Sequence, residues 1–133
     1  MSYLKNKSEI NKLAADLLHK QSLYPTVIHS AYYSCLQLVK HIIIKDSTKT
    51  EEEVEEQIRN SGESSHEYMI NLLTTSLKSK GKDFRLFNSN INQLKRLRVE
   101  SDYRNISVDF NKSKNSIDLN EIVIKHLKAN CAI

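Results

Sequence analysis

Apolar residues recur at three- and four-residue steps along almost the whole chain, which is the period of amphipathic helices. The first such stretch predicts a helix from Ser8 to Lys20 with Ile10, Leu13, Ala14, Leu17 and Leu18 on its inner face. Tyr24-Pro25 interrupts it, and proline suits the first turn of the next helix because its missing N–H would be unpaired there anyway. That helix, from Pro25 to about Lys45, carries Val27, Ile28, Ala31, Tyr32, Cys35, Leu38, Val39, Ile42 and Ile43. So wide an apolar surface predicts the central helix of the core. Ser47 to Thr50 reads as a loop and N-cap, and Thr50-x-x-Glu53 has the spacing of a capping box. A short, exposed helix from Glu51 to Arg59 follows, anchored by Val54 and Ile58 and ended by Gly62. Ser64-x-x-Glu67 opens another helix, with Tyr68, Met69, Leu72, Leu73 and Leu77 inward and Lys78, Lys80 and Gly81 at its close. Asp83 caps a long amphipathic helix over Phe84 to Phe110, with Phe84, Phe87, Ile91, Leu94 and Leu97 on one stripe. Asn111 to Asn115 is polar and loop-like. A last helix, capped by Asp118, buries Leu119, Ile122, Val123 and Leu127, with His126 beside that stripe as a hydrogen-bonded, semi-buried residue.

Composition narrows the class. The 133 residues fit a single domain spanning 1–133, and two glycines with one proline leave little turn chemistry for β-hairpins. An all-α domain of five to six helices follows. Ile42-Ile43-Ile44 is the longest aliphatic run, far short of the roughly 20 apolar residues of a membrane span. The start of the sequence, MSYLKNKSEINK, lacks the apolar core of a secretory signal, and Cys35 and Cys131 lie at no metal-ligand or redox spacing. A cytoplasmic protein with no membrane association is the expectation.

The net charge of +4 is unevenly spread. Between Lys78 and Arg104 there are eight Lys and Arg against three acids, a local +5, whereas Glu51, Glu52, Glu53, Glu55 and Glu56 form an acidic patch. Within the long helix, Lys95, Arg96, Arg98, Glu100, Asp102, Tyr103, Arg104 and Asn105 crowd more hydrogen-bonding capacity into three turns than core filling requires. Glu63-x-x-His66 has the spacing of one half of a di-iron site, but no second copy accompanies it, so neither a metal nor a cofactor is expected. No glycine-rich phosphate loop and no Gly-x-Ser-x-Gly elbow occurs. Arg98–Asp102 and Arg104–Glu100, each at a spacing of four, could also be surface ion pairs and nothing more.

These pieces together resemble the HEPN family (higher eukaryotes and prokaryotes nucleotide-binding domain), particularly its small stand-alone bacterial members. The likeness runs through Tyr24-Pro25-Thr26-Val27-Ile28-His29-Ser30-Ala31-Tyr32-Tyr33, through Ser65-His66-Glu67, and through Leu97-Arg98-Val99-Glu100-Ser101-Asp102-Tyr103. The resemblance implies an up-and-down bundle that dimerises, with a polar cleft lined by the long helix. It also implies either metal-independent RNase or toxin activity, or nucleotide and partner binding. Arg104-Asn105-Ile106-Ser107-Val108-Asp109 is similar to the family's RNase signature as far as its last element, where Asp109 replaces the expected histidine. Histidine moves protons near neutrality, whereas an aspartate with a reference pKa of ~3.9 is a poor acid at pH 7.

The sequence therefore points to a catalytically degenerate HEPN-like domain that binds a nucleotide, RNA or protein partner. Its expected ligand-binding residues are Arg98, Asp102, Tyr103, Arg104, Tyr32 and His66. The alternative is a metal-independent RNase of toxin–antitoxin type, with a nucleotidyltransferase as partner protein. Arg104, Asn105 and Asp109 would then be catalytic, or His66 or His29 would supply the proton transfer. A purely structural or interaction bundle is the remaining reading.

Overall fold

The computed structural model describes residues 2–133, and all of its regular structure is helical. In chain order the helices are α1 (Tyr3–Lys20), α2 (Tyr24–Ser47), α3 (Glu51–Asn60), α4 (Ser65–Ser79), α5 (Phe84–Tyr103) and α6 (Phe110–Asn130). They form a helical bundle in which α2 packs against α1, α4, α5 and α6, the central position its apolar breadth predicts. Val27, Ala31, Tyr32, Cys35 and Val39 of α2 are fully enclosed, meeting Phe87, Ile91 and Leu94 of α5 and Val123 and Leu127 of α6 in one core. No helix among the described residues is long and apolar enough to cross a membrane.

Local chemistry accounts for most of the boundaries. Thr50 and Glu53 exchange side-chain-to-backbone hydrogen bonds at the start of α3, the reciprocal capping box. Ser64 caps α4 by accepting from the Glu67 N–H, and Asp83 caps α5 by accepting from the Leu86 N–H. His126 is buried and bonded through Nε2 to the Asp83 carbonyl oxygen (2.7 Å), which ties the end of α6 to the start of α5.

Three expectations fail. First, α1 begins at Tyr3 rather than Ser8, capped by the Ser2 hydroxyl, and turns its small residues inward: Ser8 and Ala15 are buried, while Ile10, Leu13 and Leu17 are more than half exposed. The reason is close approach to α2, where the Ser8 hydroxyl donates to the Ser34 carbonyl (2.6 Å) and the Ser34 hydroxyl donates to the Ser8 carbonyl (2.8 Å). Second, the long helix stops at Tyr103, and residues 104–109 run without helix. Ile106 and Val108 are β-branched, and Asn105, Ser107 and Asp109 offer local hydrogen bonds that compete with a helix. Third, Asn111 to Asn115 is helical, because Asp109 rather than Asp118 is the N-cap of α6, accepting from the Lys112 N–H at 2.9 Å. Asp118 lies inside the helix and pairs with Lys114 (2.8 Å). The buried face of α6 continues toward its start through Ile117, Ser116 and Ser113, and the expected burial of Ile122 also fails, since it is 41% exposed.

Candidate functional site

Arg98 organises a dense, partly buried polar cluster at the last turns of α5. It lies on the inward stripe of α5, one turn beyond Leu94, and is 8% exposed. Its guanidinium lies 5.2 Å from the ring centre of Tyr32, 5.6 Å from that of Tyr33 and 5.7 Å from that of Tyr103. Tyr32 and Tyr33 come from adjacent positions on α2, the first wholly buried and the second half-buried, as their places in the helical pattern require. Tyr103 ends α5 and is 75% exposed, so its ring is the member of this cage best placed to swing aside. Such contacts contribute roughly 0.5–2 kcal/mol each, depending on desolvation.

Those rings stabilise the cation without satisfying all its donors. The Asp102 carboxylate is 3.5 Å from Nη1, longer than the ~2.7–2.9 Å of a strong charge-assisted hydrogen bond. The Nε–H is buried with no hydrogen-bond partner. An orphaned donor on a buried charge costs roughly 1–3 kcal/mol or more, so the arrangement sacrifices stability that an apolar side chain would not.

Two histidines flank the cage. His29, one turn before Tyr33 on α2, contacts the Asp102 carboxylate through Nδ1 (2.9 Å) and lies against the Tyr33 ring at 4.7 Å. His66, in the first turn of α4, shares a hydrogen bond with the Tyr32 hydroxyl through Nδ1 (3.0 Å) and meets the Tyr33 ring edge-on at 5.7 Å. Burial, and then the charges of Arg98 and Lys95, hold the His66 pKa below the ordinary imidazole value, so the ring is neutral at pH 7. Burial also raises the Tyr32 phenol well above its usual range, so it keeps its proton. Beyond His66 lies a cleft of about 370 Å³, lined in part by Lys40, Arg59, Ser65 and Met69.

Of the residues expected from sequence, the fold brings Arg98, Asp102, Tyr103, Tyr32 and His66 together. Arg104 and Asn105 are exposed beyond the helix end, and the two arginines do not share a recess. Nor does Arg104 pair with Glu100 through its side chain; the contact between these residues is a backbone hydrogen bond of 3.0 Å. Asp109 is occupied in capping α6. The local +5 is also divided. Lys78 closes α4, Lys80 and Lys82 lie in the turn that follows, and Arg85 is in the first turn of α5, about 20 Å from Arg98 at 1.5 Å per residue. Among the described residues, no three His, Cys, Asp or Glu side chains gather as metal ligands. Sequence reasoning omitted Tyr33 and left His29 without a partner, although the His29–Tyr33 spacing of four already placed both on one face of α2.

Comparison with protein-family models, with curated proteins and with solved structures finds no match for this chain. The HEPN resemblance therefore rests on the short motifs themselves.

Proposed function

We propose that this chain is a HEPN-like helical domain that binds a phosphate-bearing ligand, a nucleotide or RNA, at the Arg98 cluster, and that its degenerate RNase motif takes no part in chemistry. The observation that carries this reading is the guanidinium of Arg98, buried in an aromatic cage with an unpartnered Nε–H and a loosely held carboxylate. A phosphate oxygen is the natural complement of this guanidinium, because the planar fork of arginine matches oxyanion geometry, and the exposed Tyr103 ring would swing aside to admit it. The exposed ring of Tyr103 adds a face on which a base can stack. Exposed Arg104, six residues further along the chain, would meet a neighbouring phosphate of a longer ligand.

Fluorescence anisotropy with a labelled single-stranded RNA of about ten nucleotides tests this reading. Binding is expected to weaken with salt, and Arg104→Ala is expected to flatten the log–log slope by about 0.7, the contribution of one single-strand phosphate contact. Wild-type protein that shows no salt-dependent binding to RNA or to mononucleotides would remove the phosphate reading.

A second reading, metal-independent RNA cleavage, is favoured by His29 and His66 lying on two sides of Tyr33 next to Arg98. Cleavage of this kind needs one group to take the 2′-hydroxyl proton and another to protonate the leaving 5′-oxygen. A neutral His66 at pH 7 suits the first task. RNA degradation that persists in EDTA and falls at least about a hundredfold in His66→Gln would establish it, that being within the usual contribution of a general base. Activity unchanged in His66→Gln would discard it.

A further inference from the structure

We infer that Asp102 is a specificity-determining residue that tunes the Arg98 site to singly charged phosphodiesters over doubly charged phosphate monoesters. The inference rests on the phosphate-binding reading above and adds the charge class of the ligand.

The argument starts from the carboxylate's position. Asp102 is one turn beyond Arg98 on α5, and its Oδ2 lies 3.5 Å from Nη1 of Arg98 and 2.9 Å from Nδ1 of His29. It is therefore a built-in anion on the mouth side of the guanidinium, with a side chain 22% exposed against 9% for that of Arg98. A guest that reaches Arg98 must come close to it. With His66 held neutral, the Arg98–Asp102 pair has no net charge, and Lys95 adds a positive field at His66.

Charge then discriminates between guests. The attraction a guest feels scales with its charge, whereas its desolvation cost scales with the square of that charge. A site whose positive field is largely cancelled by its own carboxylate can offset the desolvation of a monoanion far better than that of a dianion. A phosphate monoester, whose second pKa is near ~6, is a dianion at pH 8, while a diester carries a single charge at any ordinary pH. Asp102 thus acts as a filter on charge, and the loose 3.5 Å pairing leaves Arg98 available to an incoming oxygen.

The test uses matched nucleotides that share base and sugar: adenosine 3′,5′-cyclic monophosphate, a diester, and adenosine 5′-monophosphate. Calorimetric or NMR titrations at pH 8 would compare wild type, Asp102→Asn and Asp102→Glu, with a melting curve for each to verify folding. Asp102→Asn keeps the shape and can still hydrogen-bond His29, but removes the charge. Wild type is expected to favour the cyclic diester. Asp102→Asn is expected to gain about fivefold for the diester and about twenty-fivefold for the monoester, because the relieved repulsion counts twice for a dianion. Asp102→Glu should keep the wild-type order. Equal gains for both nucleotides in Asp102→Asn, or no gain, would overturn the filter while leaving the phosphate site standing. Failure of wild type and Asp102→Asn to bind either nucleotide or RNA would instead remove the phosphate reading, and the filter with it.

Discussion

Methionine in place of Arg98 is expected to lower affinity for a phosphate ligand by about tenfold to a hundredfold while shifting the melting temperature by no more than about 5 °C. The two halves of this expectation come from the same feature. Methionine replaces the aliphatic stem of arginine, packs flexibly between the rings of Tyr32 and Tyr33 as they close in, and has no N–H to leave unpartnered. What is lost on the folded side is the attraction of a cation to three aromatic faces and to a carboxylate at 3.5 Å. What is gained is release from burying a charged group whose Nε–H has no partner. Replacing buried ionic groups by well-packed apolar ones is often neutral or stabilising, which places the net near zero. A residue retained for stability alone would behave differently. If Arg98→Met loses 3 kcal/mol or more, on the scale of a broken buried ion pair, the guanidinium is a structural strut and the anion site loses its main support. Thermal melts of wild type and variant, with anisotropy titrations on the same samples, separate the two outcomes.

The parts of this molecule that could be read from sequence are those where local chemistry and tertiary packing agree. The α2 stripe is apolar on so many sides that no placement but the centre would bury it. Thr50, Ser64 and Asp83 announce helix starts through their own side chains, and the structure puts a cap at each. The inward Tyr32 and the buried, bonded His126 follow from position on a 3.6-residue repeat. Elsewhere the two levels diverge. Residues 104–109 contain neither glycine nor proline, so the end of α5 lacks the usual punctuation, and an apparently continuous helix is broken by weaker preferences. The start of α6 buries Ser113 and Ser116, polar enough to pass for a loop until His19 is seen bonded to the Ser113 hydroxyl at 2.7 Å. The candidate site was legible as a set of residue types on the last turns of α5. Its composition was not: the Leu94-to-Arg98 step puts Arg98 on the inward stripe, but the helix end that leaves Arg104 facing solvent and the packing of α2 and α4 that brings Tyr33, His29 and His66 alongside carry no local signal.

Leucine at Ser34 is expected to destabilise the fold by roughly 2–4 kcal/mol, far more than removing the large apolar side chain of Leu13. Periodicity alone predicts the reverse, since Leu13 belongs to the hydrophobic repeat of α1 and Ser34 is a small polar residue. The geometry decides otherwise. Ser34 is wholly enclosed where α1 and α2 approach, and the paired Ser8 and Ser34 hydroxyls each donate to the other residue's carbonyl. A leucine there has no cavity to enter. It must push the helices apart, and it also removes one buried hydrogen bond, so overpacking and lost bonding add. Displacing α1 would further strain its ties to the rest of the bundle, including Asn11 to Gln37 (2.8 Å) and Lys12 to Asn120 (3.3 Å). Leu13 is 63% exposed, so Leu13→Ala gives up little burial and changes stability by no more than about 0.5 kcal/mol. Urea titrations of both variants provide the comparison. A Leu13→Ala loss as large as that of Ser34→Leu would mean that α1 presents its leucine face, rather than its serine face, to α2.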